Sequence, residues 1–227
     1  MGNNTSTRPR SDAKARGLAA QGAEPVQVSL FDRDGLADAF ADCDGVVNLA
    51  SALPSTTAFI RAKAWQECER IRTEGSAAVV DAALRAGVDV LVQESVAMIY
   101  TDGGDRWLDE DSAVERYPIS AGNHAAEASA RRFTESGGHG VVLRFGLFYG
   151  PGAAHSEQLL ALARWHYGFA PGRAESYVSS IYLADAATAV AAALDTERSD
   201  LTSGSVGAGC GATTRGGRST VRSSAGG

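Results

Sequence analysis

Apolar and polar positions near the start of the chain follow first the period of a strand and then that of a helix. Residues 25–30 alternate apolar and polar side chains, which predicts a strand. Asp32 and Asp34 then offer side-chain oxygens that can cap a helix extending to Ala41. Residues 45–50 form an apolar run with the length of a buried strand. A strand, a helix and a second strand with short connections imply parallel strands and a right-handed crossover.

The same succession of strands and helices continues along most of the chain. Apolar residues at helical spacing over 57–86 predict a long helix, and Gly87 is well placed to end it. Further strands are predicted over 88–92 and 141–145. Further helices are predicted over 121–133, 159–165 and 183–194. Because the strands are apolar on both faces and alternate with helices, the sequence predicts an α/β fold with a Rossmann-like, doubly wound parallel sheet.

The character of the sequence changes after Asp200. Residues 199–227 are mostly glycine, serine, threonine and arginine, with almost no large apolar side chain. Such a segment buries too little surface to offset its ordering entropy, so we predict that this tail is disordered. Its glycines lack GxGxxG spacing, which argues against a phosphate-binding loop. The change in composition thus separates a tail over 199–227 from the rest of the chain.

Composition and charge narrow the class of protein. The formal net charge is −6 and no apolar run is long enough to span a bilayer, so we expect neither a nucleic-acid nor a membrane partner. Cys43, Cys68 and Cys210 are widely spaced and lack the spacing of metal ligands, so no metal site is expected. The polar N-terminal segment does not resemble a secretory signal. These features predict a cytoplasmic protein with reduced cysteines.

Four short motifs occur in order along residues 20–195. They lie at 43–51 (CDGVVNLAS), 74–83 (EGSAAVVDAA), 144–152 (RFGLFYGPG) and 177–187, which contains YLAD. The first is similar to a fourth-strand motif that ends in His-Leu-Ala, and the third to an Arg-x-x-x-x-Tyr-Gly-Pro segment. Together, in this order and spacing, they resemble the NAD-dependent epimerase/dehydratase family, a branch of the extended short-chain dehydrogenases/reductases.

The resemblance implies NAD or NADP as the cofactor and a small molecule as the substrate. It implies a partial NAD(P)-binding Rossmann-like domain over 1–150 and a remnant of a substrate lobe over 151–198, before the tail over 199–227. It also implies that residues at the ends of three strands contact the cofactor, namely Leu49, Ala50, Ser51, Ser95, Phe145, Gly146 and Leu147. Simple burial explains the side chains of Leu49 and Phe145 equally well. Arg144 is equally compatible with a structural ion pair and with a ligand contact.

The sequence departs from the family pattern at the cofactor phosphates and at the catalytic pair. The family begins with a strand, a glycine-rich turn and a helix that hold the pyrophosphate. This sequence has no such unit, so we expect a sheet that is incomplete at its N-terminal side. When the chain is aligned on Glu127, the tyrosine of the family's Tyr-x-x-x-Lys pair corresponds to Ile119 and the lysine to Asn123. The family's Ser/Thr partner falls at Val96, or at Ser95 with a shift of one residue.

Three hydroxyl groups remain as candidates for proton transfer: Ser95, Tyr100 and Tyr117. His124 could also shuttle protons near neutral pH, but we expect it to be an exposed helical histidine. We therefore predict an NAD(P)-dependent epimerase, dehydratase or oxidoreductase-like protein that is catalytically impaired as this chain stands. A non-catalytic Rossmann-like binding or regulatory protein and a non-functional gene fragment are the alternatives.

Overall fold

The computed structural model describes residues 5–7, 12–54, 61–167, 177–195, 211–215 and 218–220. The strands are β1 (Thr5–Thr7), β2 (Ala23–Pro25), β3 (Gly45–Asn48), β4 (Val90–Val96), β5 (His139–Phe145), β6 (Leu147–Tyr149), β7 (Val178–Tyr182), β8 (Gly211–Arg215) and β9 (Arg218–Thr220). The α-helices are α1 (Asp12–Ala19), α2 (Arg33–Ala39), α3 (Gln66–Arg70), α4 (Ser76–Ala86), α5 (Ala121–Glu135), α6 (Ala154–Arg164) and α7 (Leu183–Asp195). The predicted succession of strands and helices is confirmed.

The helix ends follow the capping residues in the sequence. The Asp32 side chain accepts a hydrogen bond from the Gly35 backbone N–H at 3.1 Å, which caps α2 as predicted. Gly87 ends α4 in the left-handed conformation, with φ at +73°. A π-helical turn at Ile71–Gly75 joins α3 to α4, so the helical region extends over the later part of the predicted 57–86 helix. Residues 55–60 lie outside the described segments.

The centre of the fold is a parallel sheet of three strands in the order β3-β4-β5. One apolar cluster fills the side of this sheet covered by α2, α4 and α5, and includes Leu91, Ala130 and Phe133. A second cluster packs the other side against α7 and includes Val92 and Leu143. Helices therefore cover both faces, and the doubly wound α/β fold is confirmed.

The strand predicted over 25–30 is wrong in position. The strand is β2, which ends at Pro25, and residues 26–29 have no regular structure. Leu30 is nevertheless buried in the cluster beneath α2 and α4, and Val28 packs beside it. The alternation of apolar residues thus reflects burial of one side of an irregular segment. Such a segment has the same apolar pattern as a strand, but its backbone lacks the hydrogen bonds of a sheet.

The sheet is interrupted between β2 and β3. Strands β1 and β2 pair with each other in parallel, with Thr5 opposite Ala23, and form a sheet of their own. Within the described residues, neither strand pairs with β3, whose second edge therefore has no described neighbour. This interruption agrees with the sheet that was predicted to be incomplete at its N-terminal side.

The last sheet contains part of the predicted tail. Strands β8 and β9 extend the β6–β7 pair in antiparallel orientation. Most of segment 199–227 lies outside the described residues, so its predicted disorder stays a prediction there. The backbone of β8 and β9 is regular, which the prediction of disorder did not include.

Candidate functional site

The carboxyl ends of β3, β4 and β5 meet at one edge of the central sheet, because all three strands are parallel. In open α/β sheets, ligands bind in the crevice outside this edge. Residues 49–51 directly follow β3, Ser95 lies in the last two residues of β4, and residues 145–147 connect β5 to β6. The fold therefore brings the residues implied as cofactor contacts to a single edge. We call this set of strand ends the carboxyl edge.

The side chains at the carboxyl edge differ in exposure. Leu49 is 50% exposed and Leu147 is 44% exposed, so neither is a core residue. Phe145 is buried in the cluster under α7, and its ring centroid lies 5.3 Å from that of Phe148. Its side chain therefore belongs to the core, although its backbone lies at the edge. A Cβ on Gly146 would lie 2.8 Å from the carbonyl carbon of Ser179, so close packing against β7 requires glycine here.

Ser95 is fully buried in a network built around Glu127 of α5. The Ser95 hydroxyl donates to Glu127 Oε1 at 2.7 Å, and Arg144 donates to both Glu127 oxygens at 2.9 Å. Burial raises the pKa of Glu127, but the hydrogen bonds from Arg144 and Ser95 outweigh burial and hold that pKa below its ordinary value. The Ser95 hydroxyl donates its only proton to Glu127, so this donor is engaged in a hydrogen bond within the protein.

Tyr100 is held against the same network. The Arg144 guanidinium lies over the Tyr100 ring at 4.9 Å from its centroid. Hydrogen bonding to Glu127 raises the pKa of Arg144, burial lowers it, and Tyr100 contributes a further rise. Arg144 therefore makes a buried ion pair, as the structural interpretation of this residue expected.

A second buried ion pair joins Arg72 of the π-helical turn to Glu94 of β4, the residue before Ser95. Arg72 Nη2 donates to the two oxygens of Glu94 at 2.8 and 3.2 Å, and both side chains are almost fully buried. Burial raises the pKa of Glu94, and Arg72 opposes this rise without cancelling it. The sequence analysis missed this pair. Its signal was a glutamate within an apolar strand, which requires a buried cation as partner.

The chain turns back after residue 101 in a returning loop, which brings Tyr117 to the carboxyl edge. Residues 113–115 run antiparallel beside residues 99–101, with Glu115 N–H donating to the Ile99 carbonyl at 2.7 Å. The Tyr117 hydroxyl consequently donates to the Met98 carbonyl at 3.1 Å, just beyond the end of β4. Burial and the nearby Glu115 raise the pKa of Tyr117, whereas Arg72 lowers it, and the net direction is upward.

His124, in the first turn of α5, is more buried than the sequence suggested. This residue was expected to be exposed, which is wrong: it is 8% exposed, and its Nε2 lies 2.8 Å from the Glu115 carbonyl oxygen. The first turn of α5 packs beneath the returning loop, and helical periodicity alone does not reveal that cover. Ile119, at the position of the family's tyrosine, is exposed, and Asn123, at that of the lysine, is buried.

The described part of the chain contains neither a membrane-spanning helix nor a cluster of metal ligands. Each helix there is too short or too polar to cross a membrane. In the same segments, no group of three or more His, Cys, Asp and Glu side chains is arranged to hold a metal ion.

The amino-acid sequence matches a known family over most of its length. A model of the NAD dependent epimerase/dehydratase family matches residues 3–209. The chain belongs to this family. The resemblance inferred from the four motifs is thereby confirmed.

Solved structures with this fold include two that contain NAD. Dehydratase DesIV, a dTDP-glucose 4,6-dehydratase from Streptomyces venezuelae with NAD and TYD bound, has a TM-score of 0.74 at 20% identity, covering 94% of this chain and 69% of that one. MoeE5 in complex with UDP-glucose and NAD has a TM-score of 0.72 at 20% identity, covering 97% and 70%. The UDP-glucose 4-epimerase of Thermotoga maritima has a TM-score of 0.71 at 18% identity, covering 97% and 71%. Identities this low show a shared fold and nothing finer.

A curated relative has higher identity over a shorter stretch. The chain is 34% identical over 142 residues to the 3-diazoavenalumate denitrifying reductase of a Streptomyces species, which covers 60% of this chain. The chain spans about half the length of that relative, 46% of it. Members of this family use NAD, in agreement with the cofactor that the resemblance implied.

Proposed function

We propose that this chain carries the catalytic edge of an NAD(P)-dependent reductase in which Tyr117 is the proton donor. The observation that carries this proposal is the position of the Tyr117 hydroxyl at the end of β4, hydrogen-bonded to the Met98 carbonyl. Of the three candidate hydroxyls, Ser95 and Tyr100 belong to the network of Glu127 and Arg144. The Tyr117 hydroxyl lies outside that network and donates to a backbone carbonyl instead.

The carboxyl edge fits the ring and ribose end of a nicotinamide dinucleotide. The exposed Leu49 and Leu147 offer apolar surface for a planar ring, and the small Ala50 and Ser51 allow close approach to the backbone. Ser95 is fully buried and supports this edge through Glu127 without facing the ligand. Among the described residues, no glycine-rich turn precedes a helix to hold the pyrophosphate, and the connection from β1 to α1 lies outside them.

Tyr117 is suited to donate a proton and poorly suited to remove one. When bound, the nicotinamide ring supplies a hydride to the substrate. Because burial and Glu115 keep the pKa of Tyr117 above its ordinary value, its phenol stays protonated at neutral pH. It can then give the proton of Oη to the substrate atom that becomes basic during reduction. A raised pKa is unfavourable for the opposite step, the deprotonation of a sugar hydroxyl in epimerase or dehydratase chemistry.

Similarity to a reductase also supports reduction of the substrate as the reaction. The relative that is 34% identical is named as a reductase, whereas the solved dehydratases and epimerases are less similar in sequence. We propose a small electrophilic molecule as the substrate. The catalytic impairment predicted from Ile119 and Asn123 at the Tyr-x-x-x-Lys positions stays a prediction, and the reductase proposal differs from it by assigning proton transfer to Tyr117. Location in the cytoplasm stays a prediction.

The proposal is tested by cofactor oxidation with phenanthrenequinone as a carbonyl probe. The full chain should oxidise NADPH or NADH in its presence, and Tyr117→Phe should lose about a hundredfold or more of the rate. Tyr100→Phe is the matched control, because it removes a hydroxyl that contacts Arg144. A chain that binds either cofactor but oxidises neither would contradict the reductase proposal and support the non-catalytic binding protein.

A further inference from the structure

We infer that the tip of the returning loop, residues 102–112, determines substrate specificity, and that its Trp107 selects a small, uncharged aromatic molecule. This inference rests on the proposed function and names the class of molecule that the site accepts. It assigns a role to a side chain that the proposed proton step does not use.

Exposed apolar side chains are concentrated at the carboxyl edge. The segments that follow β3, β4 and β5 carry large apolar side chains that are 43% to 84% exposed, including Leu49, Met98, Trp107, Leu108 and Leu147. The segments that enter the same strands, residues 40–44, 87–89 and 136–138, are all described, and none of their large apolar side chains is exposed. Apolar surface gathered at one edge marks a place where a ligand or a partner binds.

Two hydrogen bonds hold the loop tip against this edge. Arg144 Nη1, at the end of β5, donates to the Glu110 carbonyl oxygen at 3.4 Å. The Tyr177 hydroxyl, one residue before β7, donates to Asp105 Oδ1 at 2.5 Å. Because residues 106–109 lie between these two contacts, the chain holds them between the end of β5 and the start of β7.

The start of β7 lies at the carboxyl edge itself. Ser179, two residues after Tyr177, packs so closely on Gly146 that a Cβ built on the glycine would lie 2.8 Å from the Ser179 carbonyl carbon. Gly146 joins β5 to β6 and is followed by the exposed Leu147. The loop tip is therefore anchored at the same end of the sheet as the Tyr117 hydroxyl.

Leu108 and Trp107 have different surroundings within the tip. Leu108 packs on Gly103, where a built Cβ would lie 2.7 Å from Leu108 Cδ2, so this leucine shapes the turn. Trp107 is 84% exposed, which makes it the most exposed large apolar side chain of the described residues. An indole offers a flat apolar face on which an aromatic ring can stack. Trp107 is accordingly the residue that contacts the substrate, and Leu108 is a positioning residue.

The charge of the loop tip disfavours anionic substrates. Residues 102–112 contain one arginine, Arg106, against five exposed carboxylates, at Asp102, Asp105, Asp109, Glu110 and Asp111. These carboxylates would repel a diphosphate or a carboxylate on the ligand, whereas an uncharged ring meets no such repulsion. The combination of an exposed indole with an acidic rim therefore favours an uncharged aromatic molecule.

Equilibrium dialysis of the full chain with NAD+ or NADP+ present tests this inference. The oxidised cofactor cannot reduce a quinone, so binding is measured without turnover. The probes are phenanthrenequinone and phenanthrenequinone sulfonate, which share a ring system and differ by one negative charge. Phenanthrenequinone should bind about tenfold or more tightly than the sulfonate. Its binding should weaken about tenfold in Trp107→Ala.

Trp165→Ala is the matched control, because it removes a tryptophan that is 78% exposed at the end of α6. This variant should leave the binding of phenanthrenequinone unchanged. A second variant isolates the charge: Glu110→Gln/Asp111→Asn removes two of the five carboxylates and should narrow the difference between the two quinones about threefold or more.

Four results would each overturn the inference. They are no saturable binding of phenanthrenequinone, equal losses in Trp107→Ala and Trp165→Ala, an unchanged difference between the quinones in the charge variant, and binding of the sulfonate or of UDP-glucose as tight as that of phenanthrenequinone. The proposed function fails on a separate measurement, the rate that Tyr117→Phe retains, because dialysis involves no proton transfer.

Discussion

Glu127 accepts two hydrogen bonds of 2.9 Å from Arg144, and this pair joins α5 to the end of β5. Ser95 completes the arrangement from β4, which pairs with β5 in the sheet. The pair therefore fixes α5, the helix that directly follows the returning loop with Tyr117. It has a structural role in the site, whereas Tyr117 is the residue that we propose as the proton donor.

Removing the Ser95 hydroxyl should affect stability more than catalysis. Ser95→Ala takes away a buried hydrogen bond to a charged carboxylate, which typically costs about 1.5–3 kcal/mol of unfolding free energy. The rate of NADPH oxidation with phenanthrenequinone should stay within about threefold of wild type, since this hydroxyl donates to Glu127. Urea unfolding and the rate are measured on the same preparation. A hundredfold rate loss at unchanged stability would show that Ser95 is the proton donor.

The two buried carboxylates should give opposite dependences of stability on pH. The pKa of Glu127 is lower in the folded chain, so its contribution is present above its unfolded pKa and lost as pH falls through the folded value. The pKa of Glu94 is higher in the folded chain, so its contribution is present below its unfolded pKa and lost as pH rises through the folded value.

Urea midpoints from acid to neutral pH measure this difference. Compared with wild type, Glu127→Gln should flatten the fall in stability on acidification. Its matched variant, Glu94→Gln, should flatten the loss that accompanies rising pH. The same slope change in both variants would contradict the assigned directions.

Gly146 should tolerate no side chain, because a Cβ there would lie 2.8 Å from the Ser179 backbone. We expect Gly146→Ala to lower the unfolding free energy by about 1–3 kcal/mol through overpacking. The control is Gly17→Ala in α1, where no atom lies within 4 Å of the built Cβ. That change should stabilise the chain by up to about 1 kcal/mol through helix propensity. Equal effects of the two changes would argue against the close approach of β7.

Cofactor binding should depend on the exposed apolar residues of the carboxyl edge. NADH or NADPH at a hundredfold excess over its dissociation constant should stabilise the chain by about 2.7 kcal/mol, which is visible as a rise in Tm. Leu147→Asp should weaken binding about tenfold or more, because it replaces the apolar surface proposed for the ring by a carboxylate that binding would have to desolvate. Leu160→Asp changes an exposed leucine of α6 and should leave the shift intact. A loss of the shift in both variants would remove the argument for this edge.

Local patterns predicted most of the fold, because a helix cap or a buried strand depends on residues close in sequence. Asp32 and Gly87 mark helix ends through their own side chain or backbone conformation. The strand over 25–30 failed because burial of Leu30 on one side imitates the alternation of a strand. Periodicity reports which side is buried and does not report which backbone groups are paired.

The site was predictable only in part for a similar reason. Motifs located the residues at the strand ends, since the resemblance aligns them directly. The ion pairs join residues 22 and 17 positions apart, and sheet register and helix packing bring those partners together. His124 was misjudged because the cover over it comes from the returning loop, whose course depends on the pairing of residues 99–101 with 113–115.

The most direct test of the account compares kcat for NADPH oxidation by phenanthrenequinone in Tyr117→Phe and Tyr100→Phe, with melting measured for both. The account predicts a loss of about a hundredfold or more for Tyr117→Phe at an unchanged Tm, and a loss of less than about threefold for Tyr100→Phe. Equal losses in the two variants, or an unchanged kcat in Tyr117→Phe, would contradict the role of Tyr117 as the proton donor.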